Sequence, residues 1–187
     1  MAAGRCGNPH LAGVTYRDAG PEDVEAVARL HASSWRASYR GILSDEFLDG
    51  PILDDRLAVW RGRLVDGTSN QLVLLAEEKG ALCGFVCAFL DVEPEWGAFL
   101  DNLHVVPGWQ GRGMGRELMV RAGAWVAERR PGMGLYLLVF EENRAARGFY
   151  DRLGGRIVER FSHRAVDGTE LVMLRYWWEN AGALVGW

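Results

Sequence analysis

The chain has 187 residues, a net charge of −4 and apolar residues at 49%, which suits one domain with a sizeable core. No long apolar run supports a membrane span, no charged segment followed by an apolar one marks a secretory signal, and no basic stripe supports nucleic-acid binding. Three cysteines (Cys6, Cys83, Cys87) and four scattered histidines give no paired metal-ligand spacing. No metal is therefore expected, and free thiols fit a reducing cytoplasm. Met1 to about Ala12 is rich in Gly, Ala and Pro and reads as a loose segment. A single domain is expected over residues 13–178, with 179–187 as an unassigned tail.

In chain order, Val14 to Arg17 suggests a first strand. Pro21, with Glu22 and Asp23 beside it, opens a helix whose one face carries Val24, Val27, His31, Ser34 and Trp35. A helical turn region follows through Tyr39, Ile42, Leu43 and Phe47, then a helix from near Asp54 to Leu64. Leu72–Glu78 and Ala81–Val92 read as strands around a Lys79-Gly80 turn, and alternation puts Cys83 and Cys87 on one face. Trp96 to Val106 is a fourth strand. Arg156–Arg164 and Glu170–Trp178 close the chain as a hairpin about Asp167-Gly168.

The most informative stretch follows the fourth strand. Val105-Val106-Pro107 ends the strand, since proline cannot donate to a ladder, and Gln110-Gly111-Arg112-Gly113-Met114-Gly115 leads into a helix marked by Leu118, Met119, Ala122, Trp125 and Val126. Glycine allows close backbone approach, and a helix N-terminus offers unpaired N–H groups with partial positive charge, so the stretch suits phosphate. A dinucleotide fingerprint starting at Gly111 would need glycine at Arg116. A Walker loop starting at Gly108 would need Lys and Ser or Thr where Met114 and Gly115 stand. Both fail on spacing.

A second motif lies downstream. Leu135–Phe140 reads as a buried strand, and Asn143-Arg144-Ala145-Ala146-Arg147-Gly148-Phe149-Tyr150-Asp151-Arg152-Leu153-Gly154 as a short helix stopped by glycine. Together, Q-G-R-G-M-G after V-V-P and N-x-x-A-x-x-F-Y-x-x-L-G resemble the two signatures of the GNAT superfamily of N-acetyltransferases. The resemblance covers nearly everything from Val14 to Trp178. It implies an α/β mixed twisted sheet of about seven strands, helices on both faces, and a bulged fourth strand that splays from the fifth.

The resemblance also implies acetyl-CoA as co-substrate and direct acyl transfer to a primary amine, without an acyl-enzyme. Main-chain atoms of Leu103, His104 and Val105 would meet the pantetheine arm. The N–H groups of Gln110, Gly111, Arg112, Gly113, Met114 and Gly115 would take the pyrophosphate, with Arg112 and Arg116 adding charge. Asn143, with Ala146 one helical turn on, would also meet the pantetheine arm, and Tyr150 would be general acid toward the sulfur. Relatives place a basic glutamate where this chain has Phe99 or Leu138. Asp101 is therefore the first candidate base, sharing the face of Phe99 if no bulge intervenes, with Glu95, Glu141 and His104 behind it.

The acceptor is expected opposite the cofactor, against Trp35 and Tyr39, whose i, i+4 spacing equally suits packing, and against the loop at Glu95. Asp91, Glu93 and Glu95 would attract a cationic amine. Small amines and protein amines both stay open as acceptors. Eight tryptophans leave room for an acceptor cleft or a homodimer interface. The competing reading is a non-catalytic acyl-CoA-binding module on the same fold.

Overall fold

The computed structural model describes residues 8–186, so Cys6, positions 1–7 of the expected loose segment and Trp187 lie outside the described residues. The chain runs β1 (Val14–Asp18), α1 (Val24–Ser38), α2 (Asp45–Asp49), α3 (Ile52–Val65), β2 (Gln71–Glu78), β3 (Ala81–Glu93), β4 (Gly97–Val105), α4 (Met114–Arg129), β5 (Leu135–Phe140), α5 (Arg144–Arg152), β6 (Arg156–Arg164) and β7 (Glu170–Trp178). The seven strands form one sheet in the order β1-β2-β3-β4-β5-β7-β6. Only β4 and β5 are parallel. No described helix is long and apolar enough to cross a membrane.

Two cores sandwich the sheet, because alternate strand side chains point to opposite faces. Leu118, Met119, Ala122 and Val126 of α4 bury against Val86, Leu100 and Leu137 on one face. Val27 and Ala28 of α1 and Trp60 of α3 bury against Val73, Phe85 and Cys87 on the other. A third cluster (Leu48, Phe140, Ala165, Met173) ties α2 to the C-terminal end of β5 and the β6–β7 hairpin. The unassigned tail is also structured. Ala181–Gly186 forms a 3-10 turn that buries Ala181 and Leu184 against α4. Gly123 of α4 allows that approach, since a methyl there would lie 2.6 Å from the Ala181 carbonyl oxygen.

Two one-residue bulges correct the alternation read from sequence. In β3, Leu82 pairs with Glu77 and Gly84 with Ala76, leaving Cys83 as the extra residue. An inserted residue reverses which face every later side chain takes. Cys83 therefore joins the α4-side core and Cys87 the opposite one, not a shared face. In β4, Leu100 pairs with Ala88 and Asn102 with Cys87, so Asp101 is the extra residue. Ala98, Leu100, Leu103 and Val105 then all contact the α4-side core, while His104 turns toward α1 and α3.

β4 and β5 pair at only two positions, Ala98 with Leu135 and Phe99 with Tyr136. Gly97, with φ of 96°, pins that end, because a methyl on it would lie 2.2 Å from the Gly134 carbonyl oxygen. Beyond Phe99 the strands separate, and β5 keeps its partner β7 as far as Phe140. The gap exposes one edge of Leu100–Val105.

Candidate active site

A cavity of about 1010 Å³ occupies the gap, lined by β4, β5, the loop before α4, and parts of α1, α3, α5 and the β6–β7 hairpin. At one end is the glycine loop. Gly111 and Gly113 take left-handed φ of 73° and 92°, and Gly113 is the N-cap of α4. Among the described residues, the backbone N–H groups from Gly111 to Arg116 meet no backbone acceptor; the first helical bond runs from Glu117 to Gly113. These orphan donors and the helix dipole favour an anion.

Gln110 departs from its expected role. Its backbone N–H donates to the Pro107 carbonyl at 3.2 Å, and its Nε2 donates to the Val105 carbonyl at 2.9 Å. It fastens the loop to the end of β4, and its N–H is spent. The Arg112 guanidinium lies over the Trp109 ring at 5.2 Å, while Asn8 Nδ2 donates to the Arg112 carbonyl at 2.7 Å. Met114 is fully buried in the α4-side core and does not line the cavity. Arg116 lines the cavity and forms no ion pair among the described residues.

α5 forms a second wall. Asn143 caps it, with Oδ1 accepting from the Ala146 N–H at 3.1 Å, and its side chain also meets the Tyr39 hydroxyl. Ala146 and Tyr150 line the cavity one and two turns on. The Tyr150 ring rests against Tyr176 and Trp178, at 5.6 and 6.2 Å between centroids. Its hydroxyl makes no hydrogen bond with another described residue. Burial, followed by the neighbouring Tyr39 and Tyr176 phenols, raises its pKa, so Tyr150 holds its proton at neutral pH.

The opposite end is aromatic and cationic. Trp35 and Tyr39 both line the cavity and meet edge to face at 5.2 Å, as do Tyr39 and Phe140. Burial pushes the Tyr39 phenol up to about 12, with the Asp101 charge adding to the effect. Asp101 faces the cavity from its bulge, its carboxylate 2.5 Å from Arg63 of α3 but without hydrogen-bond alignment. Arg63 also donates to Asn102 Oδ1 at 2.8 Å. Asp101 faces the same α3 side as Phe99, which pairs with Phe89 beneath the Arg63 guanidinium, and the bulge turns Asn102 to that side as well.

His104 offers more than its main chain. Its Nδ1 shares a hydrogen bond with Ser34 Oγ at 2.7 Å, and its ring lies 4.6 Å from buried His31. Burial, with a further push from Arg56, lowers its pKa to about 3. The ring is neutral at neutral pH and too weakly basic to hold a proton there, which argues against His104 as base.

The other acidic candidates are engaged elsewhere. Glu95 lines a separate groove of about 490 Å³ with Arg130 and Trp177, at the closed end of the β4–β5 pair. Glu141 is held by Arg160 through two hydrogen bonds of 2.9 and 2.8 Å. Glu93 pairs with Arg175 at 3.0 Å and Asp91 with Arg130 at 3.3 Å. None of Asp91, Glu93 and Glu95, expected to attract a cationic amine, therefore lines the described cavity, where Asp101 is the one carboxylate. Arg56, Val59 and Arg63 went unread in the sequence, although their i, i+3, i+7 spacing puts them on one face of α3.

Residues 25–155 match the profile of the acetyltransferase (GNAT) family. The chain is 24% identical to the uncharacterized N-acetyltransferase YuaI of Bacillus subtilis, over 78% of this chain and 90% of that protein. Its backbone superposes on the PaiA N-acetyltransferase of Thermoplasma acidophilum, solved with coenzyme A, with a TM-score of 0.69, 22% identity, and coverage of 86% of this chain and 97% of that one. YncA of Salmonella typhimurium, solved with acetyl-CoA, gives a TM-score of 0.63 at 22% identity, over 89% of this chain and 94% of that one.

Proposed function

This chain belongs to the acetyltransferase (GNAT) family and is an acetyl-CoA-dependent acyltransferase, and we propose that it acetylates a primary amine by direct attack in a ternary complex. One observation carries the reading: a protonated, unengaged Tyr150 hydroxyl and the orphan N–H groups of Gly111–Arg116 line or border one cavity in the β4–β5 gap. The cavity suits acetyl-CoA, which supplies an activated thioester. The glycines leave room for pyrophosphate, and the free edge of Leu103–Val105 can accept an extended arm as an added strand.

The chain's own residues divide the work. N–H groups from Gly111 to Arg116, with the Arg116 guanidinium, hold the pyrophosphate through charge-assisted bonds. Main-chain N–H groups near Leu103 and Val105 polarise the thioester carbonyl. Asn143 and Ala146 border the pantetheine arm. Tyr150 delivers its proton to the departing sulfur. An amine attacks only when deprotonated, and Asp101, the cavity's one carboxylate, accepts that proton. Trp35 and Tyr39 form the acceptor wall.

The test is thiol release from acetyl-CoA across a panel of amines and peptides, beside a thermal-shift titration with coenzyme A. Stabilisation with amine-dependent release supports the transferase. Stabilisation with no release from any amine would favour an acyl-CoA-binding module instead. No stabilisation and no release would overturn the reading.

A further inference from the structure

The charge around the acceptor end identifies a class of acceptor. Asp101, the one lining carboxylate, is already committed to Arg63. Arg116 and Arg152, the lining arginines of α4 and α5, stand beside the loop and Tyr150. That leaves Arg56 of α3. Its side chain is 11% exposed, and its guanidinium lies over the Trp35 ring at 4.4 Å. Nε and Nη2 are held by the neighbouring Asp55 carboxylate, and Nη1 donates to no other described residue. Its field reaches the site, since it lowers the pKa of both His104 and His31. Stacking on Trp35 and the Asp55 clamp fix the guanidinium plane, so less entropy is lost when a ligand binds.

Resting on the transferase reading above, we propose that the acceptor is a small primary amine that also carries an anionic group, of the amino-acid type, and that Arg56 binds that group through Nη1. Asp101 would face the amine while Arg56 faces the anion, so one zwitterionic molecule meets both charges. Trp35, Tyr39, Leu43, Val59 and Met173 offer its body an aromatic and apolar surround. A polyamine would instead place a second cation against this arginine-rich wall, where the described lining offers no second carboxylate beyond Asp101 to receive it.

The test compares L-amino acids with the matching amino-acid amides and with spermidine and short neutral peptides, in wild type and Arg56→Gln. The amide has the more readily deprotonated amine, so a preference for the acid cannot arise from basicity. Wild type is expected to prefer the acid, and Arg56→Gln to erase that preference by about 30-fold or more in relative kcat/KM. Stabilisation by coenzyme A is read on the same variant to report a folded cofactor site. Should Arg56→Gln not fold, the wild-type comparison decides alone. Release with spermidine, amides or neutral peptides but not with amino acids overturns this inference and leaves the transferase standing. Absence of both release and coenzyme A stabilisation overturns both.

Discussion

Tyr150 is the residue whose surroundings speak most directly to chemistry. A phenol raised by burial and left without a partner is a proton held in reserve, and a proton donor of this kind contributes roughly 10²–10⁴-fold. Tyr150→Phe keeps the ring contacts with Tyr176 and Trp178. It is expected to lower kcat by about 100-fold or more while leaving coenzyme A affinity nearly unchanged. Steady-state kinetics beside calorimetry checks it, and an unchanged kcat under conditions where loss of the thiolate limits turnover contradicts the assignment. Tyr150 was legible in sequence because the N-x-x-A-x-x-F-Y spacing fixes it. Arg56 and Arg63 were not, because nothing local relates α3 to β4, and the bulge that turns Asn102 with Asp101 toward Arg63 leaves no mark in the sequence alternation.

At the scale of elements, the site depends on how β4 and α5 begin. Asn143 serves two ends at once: Oδ1 caps α5, while the amide faces the side occupied by Tyr39. Asn143→Ala loses both functions and should destabilise the protein by about 1 kcal/mol. Asn143→Asp keeps a capping oxygen and loses the amide donor, so stability should be retained while KM for acetyl-CoA rises. Denaturation midpoints with KM separate the two; equal stability loss in both variants would contradict the division. Gly97 sets the vertex of the strand gap. Gly97→Ala combines a left-handed φ with a 2.2 Å approach to the Gly134 carbonyl, so a loss of about 2 kcal/mol or more is expected, with weaker coenzyme A binding. A variant of wild-type stability and affinity would show that the vertex is not pinned there. The loop glycines could be read because their function lies in backbone and spacing. Gly97 could not, since its constraint comes from a carbonyl 37 positions away.

Across the whole molecule, two buried neutral histidines link stability to pH. Trp60 Nε1 donates to His31 Nδ1 at 3.0 Å, so the His31 proton sits on Nε2. Burial lowers the pKa of His31 well below 6.5, with His104 adding, and that of His104 to about 3. The unfolded chain therefore binds protons at these sites near pH 6.5 while the folded one does not. Stability is fully present above about pH 6.5 and falls as pH drops toward 5, approaching about 1.4 kcal/mol per pH unit for each histidine. Denaturant midpoints from pH 7.5 to 5 check this, a range largely above the carboxylate titrations; a flat profile contradicts it. The strand and helix segments followed from periodicity and turn residues, and the seven-stranded sheet with helices on both faces followed from the family resemblance. The spatial strand order was not read. Nor was the packed tail, because Ala181 and Leu184 acquire their burial from a core built by distant elements, with Gly123 of α4 leaving the room for their approach.

The central claim is that acetyl-CoA occupies the gap between β4 and β5 with its pyrophosphate on the loop before α4. Amide hydrogen exchange with and without coenzyme A tests it most directly. Protection is expected at Leu103–Val105 and Gly111–Arg116, with the groove beside Glu95 unchanged. Binding that leaves those two segments unprotected would contradict the account.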